Sequence, residues 1–183
     1  MSGEAQAPAG ARFSVRPARY EDARAVHSLI KRNSDALLVR SIGNVLENLD
    51  RFLVAESADG ALVGALAYEL WPEIGDEMRT SAELQSVCVE ESWRRRGVGR
   101  ALALAQIARL RALHVGQIVV LTYANGFFGS LGFRQIDKRA IMYKLYTGCV
   151  NCPKHENPFT CPETAMALQL SSGGAAAAEE GPA

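Results

Sequence analysis

One stretch constrains this chain more than any other. The apolar segment Glu83-Leu84-Gln85-Ser86-Val87-Cys88-Val89 leads shortly into Trp93-Arg94-Arg95-Arg96-Gly97-Val98-Gly99-Arg100-Ala101-Leu102, where a helical pattern begins. A strand that feeds a cationic glycine turn at a helix start is built for an anion. Gly97 and Gly99 let the backbone approach a ligand, the first free amides of the helix point outward, and the helix dipole adds partial positive charge. Arg94, Arg95, Arg96 and Arg100 supply full charges, and those facing the turn can grip phosphate oxygens through forked bonds. The plain alternative is a solvated arginine run beside a glycine turn. The turn lacks the third glycine and later acidic residue of a dinucleotide fold, and it lacks the Gly-Lys-Ser or Gly-Lys-Thr of a P-loop.

Such an anion site has to be local. Lys and Arg total 20 and Asp and Glu total 20, so the net charge is zero and no bulk field draws nucleic acid or an anionic membrane. No apolar run approaches the roughly 20 residues that span a bilayer, and residues 1–12 lack the apolar stretch of a secretory signal. A cytoplasmic protein is expected. With 183 residues, 48% of them hydrophobic, the chain has material for one core.

Residues 1–12 and 171–183 are rich in small residues without apolar period and are expected to be disordered tails. Between them, residues 13–16 read as a strand, and residues 20–33 as a helix with Ala23, Val26, Leu29 and Ile30 on one face. A short helix is expected over 42–49, then a hairpin of strands 52–56 and 62–70 joined by Ala58-Asp59-Gly60. Strand 82–89 is followed by a helix over 97–113, with Leu102, Ala105, Ile107 and Leu110 inward. The continuous apolar run 117–123 predicts a buried strand, 126–131 a short helix, and 133–145 a final extended stretch. This order predicts an α/β (α+β) domain over 13–147 with one mixed, mostly antiparallel sheet and helices on both faces, followed by a cysteine-rich extension over 148–170.

Arg94-x-x-Gly97-x-Gly99 after the strand resembles the pyrophosphate-binding motif of the GNAT acyltransferases. Asn125-Gly126-Phe127-Phe128-x-x-Leu131-Gly132-Phe133 resembles their second signature. The resemblance covers roughly residues 14–145. It implies the GNAT fold, with a sheet splayed between two adjacent strands, and acetyl-coenzyme A as cosubstrate. Its pyrophosphate would lie at Arg94 to Arg100 and its pantetheine arm in the splay, along Val87, Cys88 and Val89 and beside Phe127 and Phe128. A closer likeness is to the acetyltransferase domain of short N-acetylglutamate synthases. It is carried by Leu37-Leu38-Val39-Arg40-Ser41, Phe52-Leu53-Val54-Ala55-Glu56, the strand from Ala82, and Leu121-Thr122-Tyr123. That likeness implies transfer of acetyl to the α-amine of an amino acid, with glutamate favoured and arginine biosynthesis as setting.

Such a transfer needs a neutral amine, oxyanion donors and a proton for the departing thiolate. Glu83, near the start of the cofactor-bordering strand, is the candidate base, against the plain reading of a solvent-facing glutamate. Many family members place an acid tyrosine four residues before the glycine of Leu-Gly-Phe, where this chain has Phe128. Tyr123, Thr122 and Ser130 are the candidates to replace it, or solvent does so. Arg40, with Ser41 and Thr122, is the candidate binder of the acceptor, its guanidinium suiting a carboxylate.

Cys149, Cys152, His155 and Cys161 lie within thirteen residues and have the ligand types of a structural zinc site. Free thiols or a Cys149 to Cys152 redox pair are the competing readings. Cys88 and His114 read as a buried strand thiol and a helix C-terminal imidazole. Other readings stay open: another amine acceptor, such as a protein N-terminus, polyamine or drug, or a non-catalytic coenzyme A module. A homodimer is open too.

Overall fold

The computed structural model describes residues 12–71 and 80–170. Both expected tails lie outside them, apart from Arg12. Among the described residues seven strands form one sheet in the order β1-β2-β3-β4-β5-β7-β6. They are β1 (Phe13–Pro17), β2 (Leu53–Ser57), β3 (Leu62–Trp71), β4 (Ser81–Val89), β5 (Gln117–Thr122), β6 (Arg134–Gln135) and β7 (Thr164–Gln169). β4 and β5 run parallel and every other neighbouring pair antiparallel.

Alternation along the strands sorts the core onto two faces. Leu53, Leu66, Leu84, Ile118 and Val120 point to the face covered by helix α3 (Val98–Ala112), whose Leu102, Ile107 and Leu110 are buried against them. Val54, Ala65 and Ala67 point to the other face, where α1 (Ala23–Arg32) lays down Ala23, Val26, Leu29 and Ile30 beside Val45 of α2 (Ile42–Glu47). The helical face expected for residues 20–33 is the one found buried. The expected α3 face gains Ala103 and Gln106, with Ala105 only half buried.

The closing part of the chain departs from the expectation. Of the extended stretch expected over 133–145 only β6 forms. The Asp137 carboxylate then accepts from the Arg139 amide at 2.8 Å and starts a run of helical turns, Lys138–Ile141, Met142–Lys144 and Leu145–Cys149. Ile141 and Leu145, four apart, are buried together against Val119, Ala165 and Ala167, which is helical spacing and not strand alternation. The missing strand comes from the cysteine-rich extension. β7 pairs with all of β5, from Gln117↔Gln169 to Thr122↔Thr164, and carries β6 on its far edge. The extension expected to follow a complete domain is therefore woven into its sheet. Ala165, Met166, Ala167 and Leu168 are stronger helix than strand formers, so pairing, not propensity, sets their conformation.

Helix and sheet meet closely at Gly64. A Cβ there would lie 2.8 Å from Val98 Cγ1 and 2.9 Å from Leu102 Cδ1, so the bare backbone sets how near α3's first turn sits to β3. Gly64→Ala is expected to destabilise the fold by about 1–3 kcal/mol, read as a lower urea midpoint at unchanged slope.

Candidate active site

Two local devices open a cleft at the centre of the sheet. β4 and β5 pair only at Ser81↔Gln117, Ala82↔Ile118 and Glu83↔Val119, although both strands continue beyond. Between Ala65 and Ala67 the β3 to β4 register also slips, which leaves Ser86 and Val87 out of the ladder with Ser86 at φ 53°. An extra residue in one strand kinks it and frees its peptide groups from the neighbour. The strands splay, and a cavity of about 1020 Å³ runs through the parting.

One end of the cavity is the arginine and glycine turn. Gly97 caps α3 at φ 84°, a left-handed conformation that glycine holds without strain, and the following amides begin the helix. Arg94, Arg95, Gly97, Gly99 and Arg100 line the cavity. Arg94 is steadied by its Nη2 donating to Asn33 Oδ1 at 3.0 Å, and Arg100 by a bond to the Ser130 carbonyl at 3.4 Å. The other two expected contributors turn elsewhere. Arg96 lies over the Trp93 ring at 5.5 Å, and Val98 is buried in the core under α3. Val87, Cys88 and Val89 line the splay, as do Phe127 and Phe128. Burial pushes the Cys88 thiol up to about 12, so this sulfur is an inert wall, in contact with the Ala65 carbonyl.

The other end lies on the α1 side of the sheet, between the loop that carries Arg40 and the turn that carries Lys144. Glu83 stands on its floor, only 4% exposed, directly across from Glu69 of β3. Gln85 Nε2 donates to Glu83 Oε2 at 2.6 Å and to Glu69 Oε2 at 2.5 Å, and Lys144 Nζ meets Glu83 Oε2 at 2.8 Å. Burial raises the Glu83 pKa, and Lys144 and Gln85 oppose the rise without cancelling it. Burial acts against the Lys144 charge too, but Glu83 outweighs it and the ammonium is held. Lys144 was invisible to sequence reasoning because it fell in a stretch expected to be strand.

Arg40 is half buried, and its guanidinium is held by neutral groups: Ser86 Oγ at 2.8 Å, Asn44 Oδ1 at 2.6 Å and Gln85 Oε1. Burial lowers its pKa, but a guanidinium stays charged at neutral pH. The arrangement orients a cation toward the cavity while its hydrogen-bond partners bring no formal charge. Ser41 lines the cavity but caps α2, accepting from the Asn44 amide at 3.1 Å. Thr122 is buried and its hydroxyl oxygen accepts from the Ala124 amide at 2.9 Å, shaping the turn after β5. Tyr123, the next residue, bonds through its hydroxyl to His155 Nε2 at 2.9 Å.

The zinc expectation fails. Among the described residues no group of three or more His, Cys, Asp or Glu side chains is placed to hold a metal ion. His155 is engaged by Tyr123, Cys161 Sγ faces Glu163, and the three thiols of the extension are free. The spacing suited a metal, but the backbone path from 149 to 161 disperses the side chains. Cys149, Cys152 and His155 line the cavity instead.

Comparison with known proteins agrees with this geometry. A family model described as the acetyltransferase (GNAT) domain matches residues 48–135. The chain is 32% identical over 158 residues to the uncharacterized N-acetyltransferase CT2212 of Chlorobaculum tepidum, covering 85% of this chain and 96% of that one. Among solved structures, Rv2747 from Mycobacterium tuberculosis in complex with CoA and NLQ superposes with a TM-score of 0.69 at 24% identity, over 85% of this chain and 98% of that one. N-acetylglutamate synthase from Neisseria gonorrhoeae, complexed with coenzyme A and N-acetyl-glutamate, gives 0.67 at 20% identity over 88% of this chain and 36% of the larger protein.

The pairing at the cavity floor sets a direct expectation. Lys144→Met removes the cation that opposes burial, so Glu83 should titrate at higher pH than in wild type, followed by carbon NMR of its carboxyl group. An unmoved titration would show that the two side chains do not pair.

Proposed function

Since the chain belongs to the GNAT acetyltransferase family, we propose that it moves acetyl from acetyl-coenzyme A to the α-amine of an amino acid, with L-glutamate the best-suited acceptor. The observation that carries this reading is the chemistry of the α1-side end of the cavity. A buried carboxylate, Glu83, lies beside a guanidinium, Arg40, whose hydrogen bonds go to neutral groups. An amino acid brings the complement of both: an amine to be deprotonated and a carboxylate to be held. Two carboxylates, Glu69 and Glu83, stand against two cations, Arg40 and Lys144, so this end carries no net acidity to draw a polyamine. The likeness of the Leu37 to Ser41 and Phe52 to Glu56 segments to N-acetylglutamate synthases supports glutamate specifically, and favours amino-acid biosynthesis as the setting.

The roles follow from position. The Gly97 turn, with Arg94, Arg95 and Arg100, takes the pyrophosphate of the cosubstrate, and the freed edge of β4 at Ser86 and Val87 takes the arm that leads to the thioester. Arg40 holds the acceptor carboxylate. Glu83 Oε takes the ammonium proton, directly or through one water, and the free amine attacks the acetyl carbon. The C–N bond forms, the C–S bond breaks, the nitrogen gives up its second proton to solvent water, and the thiolate takes up a proton. A Glu83 pKa raised by burial suits a base that must both accept and release a proton near neutrality.

Glu83→Gln should lower kcat by roughly 100-fold or more while coenzyme A affinity by calorimetry stays near wild type. In wild type, kcat/KM should fall as pH drops through the Glu83 pKa, because only the deprotonated form is a base. That fall should begin above the range of an ordinary glutamate, and the limb should vanish in the Gln variant. Arg40→Leu should raise KM for glutamate about tenfold or more. An absence of turnover with glutamate, alongside turnover with another amine, would remove the acceptor assignment.

A further inference from the structure

We propose that His155, delivered by the cysteine-bearing extension, is a positioning residue that holds the Tyr123 hydroxyl as the proton donor to the departing thiolate. The proposal rests on the acyl-transfer reading above and adds the half of the proton balance that Glu83 does not supply.

Position comes first. Counted beyond the last parallel pair, Glu83↔Val119, Thr122 comes level with Ser86 and Tyr123 with Val87. Tyr123 thus stands across the splay from the stretch of β4 where the bulge frees the backbone, and both Tyr123 and His155 line the cavity. The other candidate hydroxyls are worse placed to give a proton. Ser130 Oγ donates its proton to the Phe127 carbonyl at 2.7 Å, and Thr122, whose Oγ1 accepts from the Ala124 amide, is an alkyl hydroxyl and a much weaker acid than a phenol. Phe128 is buried and has no proton to give.

The second observation is that the segment around His155 is tied down on both sides. Lys154 Nζ donates to the Ser34 carbonyl at 2.5 Å and to that of Asp35 at 3.1 Å, bridging to the loop after α1. Lys138 Nζ donates to the carbonyls of Pro158 at 3.0 Å and Cys161 at 2.5 Å. These four lysine to carbonyl bonds hold the backbone on either side of His155, whose Nε2 lies 2.9 Å from the Tyr123 hydroxyl.

The tautomer with hydrogen on Nε2 performs the role. His155 Nε2–H donates to Tyr123 Oη, which leaves the hydroxyl proton pointing into the cavity. As the C–S bond breaks, the Tyr123 O–H bond breaks and an S–H bond forms. The phenolate left behind keeps the His155 N–H bond until solvent water, which reaches the 47% exposed ring, returns a proton. Burial first, then Glu163, Cys161 and Cys152, raise the Tyr123 pKa, so the hydroxyl is intact through neutral pH.

The test measures kcat and KM across pH with acetyl-coenzyme A and whichever amine supports turnover. If wild type acetylates another amine but not glutamate, the acceptor assignment alone fails and the comparison proceeds with that amine. Tyr123→Phe and His155→Leu should each lower kcat about tenfold or more, with KM for acetyl-coenzyme A within about threefold of wild type. The double variant should be no slower than Tyr123→Phe, because the histidine acts only through the phenol. His155→Gln, which keeps an N–H near the Nε2 position, should recover most of the rate. The alkaline limb of kcat should disappear in Tyr123→Phe and move to higher pH in His155→Leu, where the phenolate has lost its donor. Wild-type kcat in Tyr123→Phe overturns the proposal. So does a His155→Leu loss that persists undiminished in the Tyr123→Phe background, or a His155→Gln variant as slow as His155→Leu. If His155→Leu does not fold, as judged by its thermal transition, Tyr123→Phe and His155→Gln decide the matter.

Discussion

Parallel pairing between β4 and β5 lasts for three residues and ends at Glu83 opposite Val119. Two strands that part in the middle of a sheet forfeit ladder hydrogen bonds and expose backbone, so the parting has to be held from both sides. On the β4 side the bulge at Ser86 and Val87 bends the strand while the rest of its length stays paired to β3. On the β5 side β7 supplies a full antiparallel partner along all six residues of the strand. Neither neighbour of the gap needs the other, and the gap can serve a ligand.

The same parting sorts the chemistry. Toward one end lies α3's first turn, with Gly97 left-handed and arginines on its rim. Toward the other lie Glu83, Glu69, Gln85, Lys144 and Arg40, brought from two strands, a loop and a helical turn. Burying that many polar groups is costly unless they satisfy one another, and here each has a named partner. The network also fixes Arg40 and Glu83 in position, which lowers the ordering that any ligand held between them would have to impose.

The extension changes the picture of what is core and what is appendage. β7 is an inner strand, the Ile141 to Leu145 turn covers the sheet beside it, and the loop between them borders the cavity with Cys149, Cys152 and His155. Thiols that by type and spacing suggested a metal site are held apart by the loop's path, with lysine to carbonyl bonds taking the anchoring role expected of the ion.

Much of this was legible in the residues themselves. The apolar period of α1, the Asp59-Gly60 hairpin and the arginine and glycine turn at the head of α3 are local signals. Each follows from backbone sterics, helix polarity or alternation, so a single segment specifies it. Arg40 and Glu83 were also marked as candidates by their neighbours in sequence. β7, the Glu83 to Lys144 pair, the Arg40 cradle and the Tyr123 to His155 bond were not. Their partners lie from 32 to 61 residues apart or, as at Arg40 and Asn44, need β4's Ser86 and Gln85 beside them to form a cradle. A helix-prone Ala165 to Leu168 becomes strand only because β5 and β6 leave an edge for it. The sequence by itself determined the elements and the anion-seeking turn, since those depend on local geometry. The tertiary structure decided which carboxylate is buried, which cation it meets and where the cysteine loop lies, because burial and pairing are properties of segments brought together and not of any one of them.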